Sequence, residues 1–231
     1  TVSADWIGAL DKTIRAVYGA DAVVVFLNGA AGDITQVDNI GLRKARPNAD
    51  NLEIIGTRVG AEALKVLVSA ERGALVPVRS VSQTLTLPRR LPSPEKRGRA
   101  VKTVERLLGD PGASRTPEFI WAKERVLLDY SLQFERAKAV ELQAIQLGPA
   151  VFLSNPAEYF CSLGLSIKAA VRKRFPLVYV VELANGSIGY VPDEEAFGAA
   201  GGGYETRLTA YSNLEPDAGR RIAEACIALA G

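Results

Sequence analysis

The chain has 231 residues, 48% hydrophobic and 23% charged, a globular balance with room for one large domain or two small ones. Its formal net charge of +2 is too small to argue for nucleic acid or a membrane surface. No apolar run reaches the roughly 18 residues of a membrane-spanning helix. His and Met are both absent, so neither a His-based catalytic triad nor a His metal ligand can come from these residues. Cys161 and Cys226 lie among apolar neighbours and read as buried free thiols. The sequence opens on Thr1 with no leader-like stretch, which reads as a start processed or cut away.

Taken in order, Trp6, Ile7, Leu10, Ile14 and Val17 have helical spacing, with Ser3 or Asp5 as a cap and Gly19 as a stop. Ala22 to Leu27 is continuously apolar and predicts a strand buried on both faces, as in a parallel sheet. The polar stretch Arg43 to Asp50, with Pro47, predicts a loop, and Glu53 to Ala70 predicts a helix. Val76 to Leu87 alternates and predicts a strand. The basic, proline-rich run LPRRLPSPEKRGR predicts a solvated loop that opens a helix at Ser93-Pro94.

Pro117 to Ala139 predicts a long charged helix. Glu141 to Gly148 and Ala150 to Leu153 predict a hairpin about Gly148-Pro149. Tyr159 to Arg174 predicts a helix, Leu177 to Leu183 a buried strand broken only by Glu182, and Asp217 to Ala230 a closing helix. The fold class is therefore α/β: a mixed sheet or sheets with flanking helices and an active site at strand ends. No repeat, low-complexity segment or domain boundary is visible.

Four stretches break this pattern, each expected to follow a strand. NGAAGDIT offers Asn28, Gly29 and Gly32 for close backbone approach to a ligand and presents Asp33 and Thr35; a tight turn with an Asx cap explains it equally. SNPAEYF places Glu158 in a first helical turn, either complementing the helix dipole or aimed across the strand ends as ligand or base. ELANGSIGYVP sets Tyr190 after a turn, as a half-buried strand aromatic or a site residue. GAAGGGYETRL carries Tyr204 after Gly203, as a flexible loop or as a delivered hydroxyl. Together they predict one cleft.

The ordered series Asn-Gly…Gly-Asp-Ile-Thr, Pro-Ala-Glu, Asn-Gly…Gly-Tyr-Val-Pro and Gly-Gly-Tyr-Glu resembles the catalytic domain of the neutral/alkaline non-lysosomal ceramidases and their bacterial relatives. The resemblance runs from Val2 to the closing helix and is loose between about Asn39 and Ala139. It implies a zinc amidase acting on the N-acyl bond of a lipid-like small molecule; the small net charge and the lack of a long apolar run predict neither a nucleic-acid partner nor a transmembrane segment. Family members are often secreted or membrane-associated, so the resemblance leaves a secreted or periplasmic location open. It further implies Zn2+ bound through Glu158 and Tyr190, with two His ligands from a segment upstream of residue 1. The 231 residues would then form the C-terminal part of one catalytic domain. Thr35, Tyr204 and Asp33 would be catalytic, Asp33 by holding its loop. Asn28, Gly29, Gly32 and Gly203 would bind substrate. The sequence departs from the family motif Gly-Asp-Val-Ser-Pro-Asn: Thr35 replaces the Ser, keeping a hydroxyl on a stiffer β-branched side chain, and Gln36-Val37 replaces Pro-Asn. Two other readings stand beside it: a non-catalytic module of the same fold, and a hydrolase of another amide or ester.

Overall fold

The computed structural model describes residues 2–35, 41, 48–71 and 73–231. It divides into two units, residues 1–27 with 35–74 and residues 28–34 with 75–231. In the first unit, helix α1 (Asp5–Tyr18) packs on helix α2 (Asn48–Leu67) and buries Ala9, Leu10 and Ile14. Gly56 and Gly60, one turn apart on α2, make the close crossing feasible. A Cβ at Gly56 would meet the Ala9 side chain at 2.6 Å, and one at Gly60 the Thr13 side chain at 2.8 Å. Gly19, at φ +91°, ends α1 as expected, its N–H bonding to the Arg15 carbonyl. The other end differs: the residue ahead of α1 is Ala4, with no side-chain cap, and Asp5 turns its carboxylate onto the Trp6 N–H at 2.6 Å.

The expected buried strand Ala22–Leu27 is not formed. Among the described residues the segment has no sheet partner, and Val23 and Val25 are 85% and 75% exposed. Its other face is half-buried, with Phe26 edge-on to Trp6 at 5.0 Å. An apolar run signals that a segment needs cover; it does not name what supplies it. The loop expected over Arg43 to Asp50 lies mostly outside the described residues, and its last three positions begin α2.

The second unit is built on a mixed sheet with strand order β1 (Val78–Pro88), β2 (Ala137–Leu147), β3 (Ala150–Ser154), β5 (Leu177–Val181). β1, β2 and β3 are antiparallel neighbours, and β5 runs parallel to β3. The β2–β3 hairpin turns at Gly148, φ +57°, as the sequence predicts. Helix α5 (Cys161–Val171) makes the crossover from β3 to β5 and packs against the closing helix α6 (Ala218–Leu229). The alternate residues Val140, Leu142, Val151, Leu153 and Val180 meet Ile167, Ile222 and Cys226 in the core. A second ladder of two short parallel strands joins β4 (Glu158–Tyr159) to β6 (Tyr190–Val191).

Helices α3 (Pro94–Leu107) and α4 (Pro117–Leu132) pack on each other. Each begins with a proline behind a hydroxyl cap, Ser93 accepting from the Lys96 N–H and Thr116 from the Phe119 N–H. α4 ends seven residues before the predicted Ala139, because Ala137 already pairs with Pro88 in the sheet. Among the described residues no helix is long and apolar enough to cross a membrane.

Candidate functional site

The site is built where β3 and β5 end. After Ser154, Asn155 turns the chain: its backbone N–H donates to the Val181 carbonyl at 2.9 Å, and its Oδ1 accepts the Ala157 N–H at 3.0 Å. The peptide that follows is captured by the segment after β5, with the Ile188 N–H on the Pro156 carbonyl at 3.0 Å and the Glu158 N–H on the Gly189 carbonyl at 2.9 Å. Gly189 has φ +79°, and any Cβ there would run into the Tyr211 backbone, so only glycine lets these segments approach. Glu158 therefore lies in β4, directly opposite Tyr190 of β6. The expected first-turn helical position is corrected, since α5 begins three residues later at Cys161. Pro156 sits in the turn out of β3, and not at the helix start.

Tyr190 forms the hub of the site. Its hydroxyl lies 3.1 Å from that of Tyr204, and the two rings meet edge-on at 5.3 Å. Burial, the hydrogen bonds with Tyr204 and Glu158, and the Glu158 charge all hold the Tyr190 proton well above the ordinary phenol range. The Tyr190 N–H donates to the Tyr211 carbonyl at 2.8 Å, and the Tyr211 ring stands 6.3 Å away.

The loop from Asn28 to Ile34 packs on this ladder from the other side. The Gly32 N–H donates to the Tyr159 carbonyl at 2.9 Å, and a Cβ on Gly32 would sit 2.5 Å from the Glu158 carbonyl oxygen. Asp33 accepts the Cys161 N–H at 2.6 Å, capping α5 in place of Phe160, which has no capping side chain. Asn28 enters through its carbonyl, which takes the Glu182 N–H at 3.0 Å. A Cβ on Gly29 would meet the Val180 carbonyl at an ordinary 4.0 Å. Thr35 belongs to the first unit; the other eight sequence candidates belong to the second. Of the four stretches expected to follow strands, two do, SNPAEYF after β3 and ELANGSIGY after β5. NGAAGDIT follows the unpaired segment, and Tyr204 follows a short 3-10 turn at Glu195–Phe197.

Tyr204 is placed by residues whose basic, proline-rich context predicts a solvated loop. Arg90 donates from Nη1 to the Thr206 carbonyl and from Nη2 to the Ser212 carbonyl, both at 3.1 Å, and lies over the Phe197 ring. Arg89, only 5% exposed, donates to Asn213 Oδ1, the Glu135 carbonyl and Ser131 Oγ. These guanidiniums serve as internal ties for backbone carbonyls far along the chain. Gly203, at φ +92°, supplies the left-handed turn just before Tyr204.

In the sequence Glu182 reads only as a break in an apolar strand. It is 7% exposed, and its Oε2 accepts the N–H groups of Tyr159 at 2.8 Å and Ala31 at 3.1 Å. Burial raises its pKa, opposed by those two hydrogen bonds. A lone carboxylate inside an apolar run was the signal that could have found it. Among the described residues, no three His, Cys, Asp or Glu side chains gather as a metal-holding group.

Neither a protein-family model nor a curated protein sequence matches the chain. Among solved structures, the neutral ceramidase from Pseudomonas aeruginosa superimposes with a TM-score of 0.67 at 18% identity, covering 99% of this chain and 40% of that one. A ceramidase complexed with C2 gives 0.64 at 17% identity, covering 99% of this chain and 42% of that one. The chain thus spans about two fifths of the length of these solved structures. An identity this low carries the architecture and not the chemistry. The chain has a ceramidase-like α/β fold over nearly its whole length.

Proposed function

We propose that the chain is part of a zinc-dependent hydrolase that cleaves an N-acyl amide bond in a ceramide-like or related lipid. The observation that carries this reading is the facing pair Glu158 and Tyr190, two oxygen donors side by side on a short ladder, with the Tyr204 hydroxyl 3.1 Å beyond. The donor set suits zinc only in part. Carboxylate and phenol oxygens can fill two of four positions, and the sequence holds no His. The remaining two ligands are proposed to be His from an upstream segment, so that the 231 residues are the C-terminal part of one catalytic domain. When bound, zinc polarises the scissile carbonyl and lowers the pKa of water to about 7.

The chain's own groups then divide the work. Glu158 and Tyr190 bind. Held beside a dication, Tyr190 would give up its proton more readily than burial and the Glu158 charge alone allow. A deprotonated Tyr190 could only accept, and Tyr204 would then be the donor in their contact. Its single proton is available to a developing oxyanion once that contact opens, and the glycines before it give the loop the freedom to do so. Thr35 orients the water or the leaving nitrogen. Asp33 holds the start of α5 under the loop. Gly32 and Gly203 keep the backbone clear for substrate, beside Asn28 and Gly29.

The test is zinc content by elemental analysis beside hydrolysis of a short N-acyl substrate, in full-length protein. Glu158→Gln and Tyr190→Phe should lose zinc and turnover together. Tyr204→Phe and Thr35→Val should keep zinc, and Tyr204→Phe should lower turnover by about 10²-fold to 10³-fold. Full zinc and full turnover in both ligand variants would sink the reading. The second reading, a non-catalytic module of the same fold, is favoured by the lack of His and of a three-residue metal cluster among the described residues. It predicts no zinc in the wild type. Hydrolysis of an ester or sugar amide in place of the lipid would change the substrate and keep the site.

A further inference from the structure

We infer that Glu182 is the positioning residue of this site: one buried carboxylate oxygen fixes the Asn28–Ile34 loop to the strand that carries Glu158. The inference rests on the proposed function for its purpose and on the hydrogen-bond geometry for its substance. Glu182 follows β5 directly, where Val178 and Val180 point into the core. A carboxylate there is costly to bury, and an apolar side chain of similar volume would fill the space without that cost.

What the carboxylate adds is two bonds made by the same oxygen. Oε2 takes the Ala31 N–H from the loop and the Tyr159 N–H from β4, while the Glu182 backbone N–H goes to the Asn28 carbonyl. Three segments distant in sequence are thereby tied at one point. The Tyr159 N–H belongs to the peptide whose carbonyl carbon is that of Glu158, and the Gly32 N–H closes on the next carbonyl along. The bonds of Glu182 thus bear on the peptide immediately after the proposed ligand. The charges that act on Glu182, Glu158 and Asp33, are negative too. A second way to influence a cation, through the field, must therefore be separated from positioning.

Two variants do so. Glu182→Gln keeps an oxygen that can accept both N–H groups and removes the charge. Glu182→Leu removes both at similar volume. Amide hydrogen exchange in full-length protein, read on peptides covering residues 28–34 and 158–161, should accelerate about fivefold in Glu182→Leu, the factor set by one hydrogen bond of average net strength. It should stay close to wild type in Glu182→Gln. The affinity for Zn2+ alone, by calorimetric titration, should fall in Glu182→Leu by about tenfold and be largely restored in Glu182→Gln. Unchanged exchange in Glu182→Leu overturns the inference. So does acceleration spread equally over the β2–β3 hairpin, which would make Glu182 a general fold residue. Equal loss of Zn2+ affinity in both variants, with exchange intact in Glu182→Gln, assigns the effect to charge and overturns positioning. If wild type binds no Zn2+, the metal reading fails, and the exchange rates by themselves decide whether Glu182 fixes the loop.

Discussion

Gly32→Ala should damage the site from a position that contributes no side chain to it. Gly32 is not in the left-handed region, so the penalty is purely steric. The added Cβ would lie 2.5 Å from the Glu158 carbonyl oxygen, 2.7 Å from its carbon and 3.1 Å from the Tyr159 carbonyl carbon. All three are backbone atoms, which cannot swing aside as the end of a side chain can. Restoring an ordinary contact requires a shift of about 0.9 Å between loop and ladder, and overpacking of this kind costs about 1–3 kcal/mol. The same shift stretches the 2.9 Å bond from Gly32 N–H to the Tyr159 carbonyl, worth roughly 1 kcal/mol. The sum, about 2–4 kcal/mol, lowers Tm by at least about 4 °C in a chain of this size. A misplacement near 1 Å also costs about 10²-fold in turnover where geometry matters. Differential scanning calorimetry supplies the first number and the N-acyl hydrolysis assay the second. Gly98→Ala is the control: Gly98 lies on the exposed side of α3 with nothing among the described residues within 4 Å of an added Cβ, so this change should stabilise by up to about 1 kcal/mol. A Gly32→Ala protein with the Tm of wild type would refute the reasoning, because it would show that loop and strand do not touch as described.

Local signals were legible in this sequence, and long-range pairings were not. Ser93-Pro94 and Pro117 announced helix starts through capping and fixed φ, and Gly148-Pro149 announced a hairpin. The stretch after Leu132 still favours helix by composition, yet the ladder from Pro88↔Ala137 onward prevails, because pairing with β1 buries Leu87 and Val140. Glu158 shows the same contest at the site. Pro-Ala-Glu is a good helix opening, but Glu158 is held as a strand residue by Gly189 and Tyr190, about thirty residues away. Basic residues in a proline-rich run suggest solvent, whereas Arg89 and Arg90 turn inward to acceptors far along the chain, Arg89 to the Glu135 carbonyl and Asn213 Oδ1 and Arg90 to the Thr206 and Ser212 carbonyls. The residue types of the site were readable from the sequence; the pairing partners that place them were not.

Arg90→Met should remove the guanidinium from the Thr206 and Ser212 carbonyls and loosen the segment bearing Tyr204, seen as faster proteolytic nicking between residues 198 and 213 with the sheet's amide exchange unchanged; nicking at the wild-type rate would contradict this tie. Cys226 is fully buried and its thiol is pushed up to about 12, so alkylation at pH 8 should label the half-buried Cys161 in the native protein and reach Cys226 only on unfolding. Finally, Glu182 should leave a signed trace in stability against pH. Its pKa is raised in the folded chain by burial, above an unfolded value of about 4.3. Between those two values the folded state holds a proton that the unfolded state has lost, so the contribution of this group to stability declines as pH rises through the window and is flat above it. Glu182→Gln is neutral throughout and lacks the decline. Urea unfolding of both proteins from pH 4 to pH 8 reads the effect, because the carboxylates that do not act on Glu182 cancel in the difference and Glu158 and Asp33, which do, enter only through their coupling to it. That difference should move in favour of Glu182→Gln as pH rises and then level off, whatever constant offset the amide introduces. Parallel curves, or a difference that moves towards wild type with rising pH, would mean that the folded state does not raise this pKa, and that the carboxylate is held by more than the two N–H groups of Ala31 and Tyr159.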